Sequence, residues 1–185
     1  VEVVGINDPP ILDGPTVAST EEEMDVIITG ISVTDADVDG INHNYHLKYD
    51  FSTANGTITL NQTVGLIFTD GCDCDGQNDA TILFTAYPQN FNNAVSTITF
   101  HPFPDYFGPD GAISITVNDQ GNFGLADGTD PIELTDSHTI DITIDAINDP
   151  PELILPTLSS SNEDTEISIL GISISDEDIA EDDME

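Results

Sequence analysis

The stretch INDPPILDGPTVASTEEEMDVIITGISVTDAD, residues 6–37, returns later in the chain as INDPPELILPTLSSSNEDTEISILGISISDED, residues 147–178. The two stretches align without a gap at an offset of 141 residues (147 − 6), and 16 of the 32 aligned pairs are identical. The identical pairs include Pro15 with Pro156, Glu22 with Glu163, Gly30 with Gly171, Asp35 with Asp176 and Asp37 with Asp178. Self-similarity at a fixed period is the signature of a repeat protein.

The spacing of the two copies divides the chain into three parts. Residues 1–8 are interpreted as the end of a preceding repeat, residues 9–149 as one complete repeat, and residues 150–185 as the truncated start of the next. A period of this length is large enough for each repeat to fold around its own core. We therefore expect domains joined in series, whose first partners are neighbouring repeats of the same chain.

Short apolar segments with a period of two residues predict the secondary structure. Alternation of this kind is the strand signature, and Gly or Asn residues separate the segments. Only residues 87–95 could form a helical turn, and Gly30 is expected to break a strand. About eight short strands favour an all-β fold, an antiparallel β-sandwich. The predicted strands include Val26 and Ile31 on the two sides of the Gly30 break, and, one in each further strand, Tyr49, Ile58, Leu66, Ile82, Ile98, Ile115 and Ile142.

The charge of the chain excludes several partners. Asp and Glu number 36 against a single Lys or Arg, Lys48, for a formal net charge of −35. A chain without a cationic surface cannot neutralise nucleic acid phosphates or be attracted to anionic lipid. No apolar run approaches the roughly 20 residues that cross a bilayer. We expect neither nucleic acid binding nor membrane insertion by this segment.

The acidic residues gather at the two linkers, and this placement predicts a metal. Calcium takes about six to eight oxygen ligands from carboxylates, carbonyls and amides. Each linker supplies an Asn-Asp pair, and each is followed by an Asp-x-Asp at a strand end, where both carboxylates point the same way. These residues are Asn7, Asp8, Asp35 and Asp37 at the first linker and Asn148, Asp149, Asp176 and Asp178 at the second.

These motifs carry a family resemblance. The NDPP linker, a Glu about fourteen residues later (Glu22), a Gly-Ile-Ser-Val strand and the Asp-Ala-Asp resemble the opening of a cadherin-like repeat. The segment ITVNDQGN, residues 115–122, resembles the cadherin strand that ends in Asp and Gly, and PDYFGPDGAISITVND resembles the tandem repeats of very large microbial and algal surface proteins. The resemblance covers the central repeat and both partial ones.

The resemblance implies Ca²⁺ between consecutive domains. It assigns Asn7, Asp8, Asp35, Asp37 and Asp119 to the first junction, together with groups from a preceding repeat. It assigns Glu22, Asn148, Asp149, Asp176 and Asp178 to the second. A simpler interpretation treats an Asp-x-Asp as a solvated turn, and adaptation to high salt would also explain the total charge. High-salt adaptation does not explain why the carboxylates cluster at the linkers.

Other motifs carry less weight. Cys72 and Cys74 allow a local disulfide, two free thiols or links to another chain, and we favour a local or interchain disulfide. The loop around them has Gly71 where an EF-hand would place its first ligand. Asn55 and Asn61 begin N-glycosylation sequons, and strand parity turns both towards solvent.

We therefore expect an extracellular protein, secreted or at the cell surface, that is a structural or adhesive repeat protein. Calcium would rigidify its junctions, so that the chain forms a rod, coat or filament. Other copies of the chain in such an assembly are further candidate partners. The alternative is a carbohydrate- or ligand-binding β-sandwich module. No enzyme is expected, because the four His residues show no paired spacing and no nucleophile or phosphate-binding motif is present.

Overall fold

A computed structural model of the chain describes residues 7–38, 45–121, 132–157, 160–176 and 178. Internal contacts divide the chain into two compact units, Val1–Asp145 and Ala146–Glu185. The repeat boundaries at residues 9 and 150 stay a prediction, and residues 1–6 of the preceding repeat lie outside the described ranges. Each unit is described separately below.

The described residues of the first unit form short strands and one helix. The six-stranded sheet contains β2 (Val17–Glu21), β5 (Leu47–Ala54), β7 (Ile67–Phe68), β8 (Thr81–Ala86), β10 (Gly108–Asn118) and β11 (Thr135–Asp145). The remaining strands are β1 (Ile11–Asp13), β3 (Val26–Ile28), β4 (Ser32–Thr34), β6 (Gly56–Leu60) and β9 (Ile98–Pro102), and the helix is α1 (Pro88–Ala94).

The strands build an all-β sandwich, as the sequence predicts. The large sheet has the order β2-β11-β10-β5-β8-β7, and a three-stranded sheet β3-β9-β6 and a two-stranded sheet β1-β4 complete the unit. Inward residues of these sheets share one apolar core, in which Phe51, Ile115 and Ile142 are fully buried. Residues at alternate positions of a strand lie on one face, so each apolar alternation becomes one wall of the core.

One strand pairing departs from the antiparallel prediction. β2 pairs in parallel with β11, with Val17 beside Asp141 and Glu21 beside Asp145. The chain runs from β1 into β2 without reversing, and it changes sheet at Pro15. It therefore runs down the unit in the same direction as β11. Parity within a strand predicts which face is buried but not which strand lies alongside.

The helix and the strand break both occur where the sequence places them. α1 begins at Pro88, whose fixed φ suits the first helical position, and it buries Pro88, Phe91 and Ala94 on one face. Gly30 has φ +90° between β3 and β4, a conformation that side-chain-bearing residues rarely adopt. Buried side chains consequently change from Ile28 to Ile31 and Val33 across this break.

The second unit repeats local structure of the first at the 141-residue offset. β12 (Glu152–Ile154) pairs with β13 (Ser173–Ser175), and Leu153 lies opposite Ile174 just as Leu12 lies opposite Val33. A tight turn also recurs with φ near +60° at Glu23 and at Asp164, its equivalent (23 + 141). The similarity of the two sequence stretches is therefore also a similarity of backbone.

The apolar positions of the second unit differ from their equivalents in exposure. Leu12 and Val33 are 6% and 1% exposed in the first unit, whereas Leu153 and Ile174 are 58% and 59% exposed. In the first unit these positions belong to the shared core of the sandwich.

Among the described residues, no helix is long and apolar enough to cross a membrane.

Candidate metal centre

One end of the first unit gathers the predicted ligands of the first junction. β10 runs directly into Asp119, and β4 runs directly into Asp35. The segment before β1 brings further oxygen donors to the same end. We call this set, Asn7, Asp8, Asp35, Asp37 and Asp119, the Asp119 cluster.

Asp119 is the buried member of the cluster. It is 0% exposed, and its Oδ1 accepts hydrogen bonds from the backbone N–H groups of Gly121 and Leu134, both at 2.8 Å. Its Oδ2 accepts a hydrogen bond from Asn7 Nδ2 at 2.6 Å, and the same amide donates to the Ile132 carbonyl at 2.9 Å. Asp119 thereby joins the segment before β1 to the end of β10 and to the residues just before β11.

The Asp35 loop forms the second half of the cluster. Asp37 N donates to Asp35 Oδ1 at 2.9 Å, and Asp8 N donates to Asp37 Oδ2 at 2.6 Å. Asp35 and Asp37 are half-buried, and Asp8 is exposed. Asp35 and Asp37 each use one carboxylate oxygen in these two bonds. An ionised carboxylate has two acceptor oxygens, so each residue has a second oxygen outside them.

The electrostatics of the cluster disfavour negative charge on Asp35. Burial raises the pKa of the Asp35 carboxyl above its ordinary value, and the neighbouring charges of Asp37 and Asp119 raise it further. The backbone N–H groups of Asp37 and Val38 lower it in part. Asp119 and Asp35 are therefore close enough to interact, and a cation between them would relieve their repulsion.

Two oxygens of the cluster fit a hard cation. Asn7 Oδ1 and Asp35 Oδ2 are buried and have no hydrogen-bond partner. A buried polar atom without a partner is uncommon and requires an explanation, such as an ion. The donors of the cluster are carboxylate and amide oxygens, without imidazole or thiolate, which suits calcium rather than zinc or copper.

The carboxylates of the cluster are linked in pairs rather than gathered at a point. Among the described residues of the first unit taken alone, no three acidic, imidazole or thiol side chains bring ligand atoms within 4.8 Å of one another. The neutral oxygen of Asn7 therefore belongs to any ligand set at this end, beside the carboxylates.

The same loop is present in the second unit. Asp149 N donates to Asp178 Oδ2 at 2.6 Å, the bond that Asp8 makes to Asp37, and Asp178 N donates to Asp176 Oδ1 at 3.2 Å. Asp149 Oδ2 is buried without a hydrogen-bond partner, and Asn148 Nδ2 donates to the Asp149 carbonyl at 3.1 Å. The predicted Asn-Asp and Asp-x-Asp motifs are thus brought together twice.

Glu22 lies at the end of the first unit opposite the Asp119 cluster. Its backbone N–H donates to the Asp145 carbonyl at 2.9 Å, where β2 and β11 finish side by side. β11 spans 11 residues, or about 36 Å at the rise of an extended strand. Glu22 is 1% exposed. The first unit therefore carries predicted ligands at both of its ends.

The remaining predicted residues lie away from the cluster. Cys72 and Cys74 are joined by a disulfide in the loop before β8. Asn61 is exposed, whereas Asn55 is half-buried and donates from Nδ2 to the Asp110 carbonyl at 3.0 Å. Use of either Asn as a glycan acceptor stays a prediction.

The histidines among the described residues, His46, His101 and His138, lie on or beside separate strands. His101 lies 2.7 Å from Asp25 Oδ1 through Nδ1 and 3.0 Å from Thr59 Oγ1 through Nε2, on the sheet β3-β9-β6. His138 Nε2 lies 2.8 Å from the Pro15 carbonyl. His43 lies outside the described residues.

Three contributors to this end have no sequence signal of their own. The Ile132 carbonyl accepts from Asn7 and the Leu134 N–H donates to Asp119, and both are backbone groups just before β11. Tyr49 was expected only as an apolar strand residue. Its hydroxyl is buried without a hydrogen-bond partner, and the charge of Asp35 acts on it.

Comparison with known proteins returns little. No family model and no curated protein matches the chain. Among solved structures, the chain is similar to a cohesin module from a family 33 glycoside hydrolase of Clostridium perfringens ATCC13124. That similarity has a TM-score of 0.32 and 12% identity, and it covers 75% of this chain and 98% of the module.

Proposed function

We propose that the chain is a piece of an extracellular, structural or adhesive repeat protein whose junctions are stiffened by calcium. The observation that supports this most directly is the recurrence of one hydrogen-bonded acidic loop, Asp8 with Asp37 and Asp149 with Asp178. Each recurrence carries a buried carboxylate oxygen without a partner, on Asp35 and on Asp149. Solvated surface turns would leave those oxygens in water.

The residues of the chain provide the parts of such a junction. Asn7 and Asp8 belong to the segment that enters the first unit, and they are hydrogen-bonded to Asp119 and Asp37 of the sandwich itself. The entering segment is therefore attached to the sandwich even before a cation binds. Repulsion among the carboxylates works against this attachment. Bound calcium supplies positive charge and oxygen coordination at that place.

The other predicted ligands extend the same proposal. We propose that Glu22 binds calcium at the far end of the first unit, and that Asn148, Asp149, Asp176 and Asp178 supply the ligands of the second unit. The assignment rests on the position of Glu22 beside Asp145 and on the recurrent loop of the second unit. In this role the chain binds its own neighbouring repeats, performs no catalysis, and forms part of a rod, coat or filament.

Calcium should raise the stability of the 185-residue chain. Extracellular calcium modules bind with Kd of about 0.1 to 1 mM. At ten times Kd, one site adds about 1.4 kcal/mol to the free energy of unfolding. Urea unfolding followed by far-UV circular dichroism, in 5 mM CaCl₂ and in EGTA at constant ionic strength, measures the difference.

Two controls separate this function from its rivals. MgCl₂ at the same concentration tests for general screening, and 1 M NaCl tests for adaptation to salt. Stabilisation by NaCl equal to that by calcium would contradict a specific site. Capture of a glycan that persists in EGTA, with no effect of calcium on stability, would instead indicate a ligand-binding module.

A further inference from the structure

Tyr49 lies in the apolar core, where the ring of a phenylalanine would pack equally well without a buried hydroxyl. Its ring is 0% exposed and stacks on Phe91 and Phe84, with centroid distances of 4.2 and 5.2 Å. Its hydroxyl is buried and has no hydrogen-bond partner. An unpaired buried polar group costs about 1 to 3 kcal/mol. The hydroxyl therefore needs a reason beyond packing.

Tyr49 lies near the end of the sandwich that carries the Asp119 cluster. In the register of β5 and β10, Tyr49 pairs with Val117, two residues before Asp119. Asn92 of α1 is hydrogen-bonded twice to Val33: its Oδ1 accepts from the Val33 N–H at 2.8 Å, and its Nδ2 donates to the Val33 carbonyl at 3.1 Å. Val33 is two residues before Asp35, and Tyr49 stacks on Phe91, the neighbour of Asn92, so the surroundings of Tyr49 lead into both halves of the cluster.

Asp35 offers the acceptor that Tyr49 lacks. Asp35 Oδ2 is also buried without a partner, while Oδ1 is taken by Asp37 N. Burial and the charge of Asp35 raise the pKa of the Tyr49 hydroxyl, so the group is a neutral donor and lies within reach of the charge of Asp35. A donor and an acceptor, each buried and unpaired, thus belong to residues near the same end of the sandwich.

We propose that Tyr49 is a positioning residue of the cation site: when calcium binds, its hydroxyl, unpaired in the structure, donates to Asp35 Oδ2 and holds the carboxylate in the orientation that binds the ion. This inference rests on the proposed calcium function. Partners of metal ligands orient the ligating groups, and their loss typically weakens binding by about 10- to 100-fold. Tyr49 would act through Asp35, without touching the ion.

The test compares Tyr49→Phe with the wild-type chain and with Tyr106→Phe. Tyr106 is half-buried and lies just before β10, at the strand end away from Asp119. Calcium titrations followed by ¹H–¹⁵N NMR give a Kd for this end alone, because the amides of Asp37 and Gly121 donate to Asp35 and Asp119. We expect Tyr49→Phe to raise that Kd about tenfold and Tyr106→Phe to leave it unchanged.

Stability measurements separate positioning from a purely structural role. Tyr49→Phe keeps the ring and removes an unpaired hydroxyl, so we expect no loss of stability in EGTA and a smaller gain from calcium. An equal loss of stability in EGTA and in calcium, with unchanged Kd, would show that the hydroxyl serves only the fold. If the wild-type amides do not respond to calcium, the proposed function fails; if they respond equally in Tyr49→Phe, only the role of Tyr49 fails.

Discussion

Asp119→Asn should lower the free energy of unfolding of the first unit by about 2 to 4 kcal/mol in EGTA, and by more in calcium, because Asp119 is also a proposed ligand. The carboxylate is fully buried and accepts three hydrogen bonds, from Gly121 N, Leu134 N and Asn7 Nδ2. An asparagine can keep Oδ1 as an acceptor. Its amide would then face the amide of Asn7, so two donors would meet where a donor and an acceptor now pair.

Urea unfolding of the 185-residue chain measures the loss, with Asp141→Asn as the matched control. Asp141 is exposed on β11, and its replacement removes the same charge without removing a buried acceptor. We expect a change within about 0.5 kcal/mol for the control. A loss for Asp119→Asn no larger than that of the control would show that Asp119 does not anchor the segment before β1.

Asp35→Asn should have opposite effects with and without calcium. In EGTA the variant should be more stable than the wild type at pH 7, because burial and the charges of Asp37 and Asp119 penalise an ionised Asp35. Asparagine keeps an oxygen for Asp37 N. In calcium the variant should lose the stabilisation of the first site, with a Kd raised at least about tenfold.

The pH dependence of this difference has a definite sign. Because the pKa of Asp35 is raised in the folded state, the folded chain binds that proton more tightly than the unfolded chain. The resulting stability is fully present below about pH 3.9, the ordinary aspartate value, and is lost as pH rises through the folded pKa. The metal-free variant and wild type should therefore match at pH 3.5 and separate towards pH 7. A separation that shrinks with rising pH would contradict this account of Asp35.

Much of the fold could be predicted from the sequence because burial follows strand parity. Tyr49 and Phe51 of β5, and Ile113 and Ile115 of β10, are fully buried at the alternate positions that the pattern indicates. Gly30 and α1 also occur where turn and helix signals place them. These features are local, and each depends on residues a few positions apart.

Strand pairing joins residues that are far apart in the chain, and the sequence pattern did not predict which strands pair. β2 is too short and too evenly exposed to show a buried face, and its parallel pairing with β11 joins residues about 124 positions apart (141 − 17). The burial of Asp119 has the same origin. Its position after a strand was visible, but the Leu134 and Asn7 groups that it accepts from are distant in the chain.

The acidic motifs were visible because the repeat displays them twice. One Asp-x-Asp would have been indistinguishable from a solvated turn, whereas Asp35 with Asp37 and Asp176 with Asp178 recur with their linkers. The role of the Tyr49 hydroxyl could not be predicted, since an aromatic residue in a strand is ordinarily only packing. It became apparent from two unpaired buried atoms, the Tyr49 hydroxyl oxygen and Asp35 Oδ2, and from the effect of the Asp35 charge on the pKa of Tyr49.

Diffraction from crystals of the 185-residue chain grown in 5 mM CaCl₂, with anomalous data for calcium, tests the central claim most directly. We expect an anomalous peak bound by oxygens of the Asp119 cluster, at about 2.3 to 2.6 Å, and a second peak bound by Asp149, Asp176 and Asp178. Well-ordered carboxylates at both places with water alone between them would contradict calcium-stiffened junctions and leave only an acidic β-sandwich repeat.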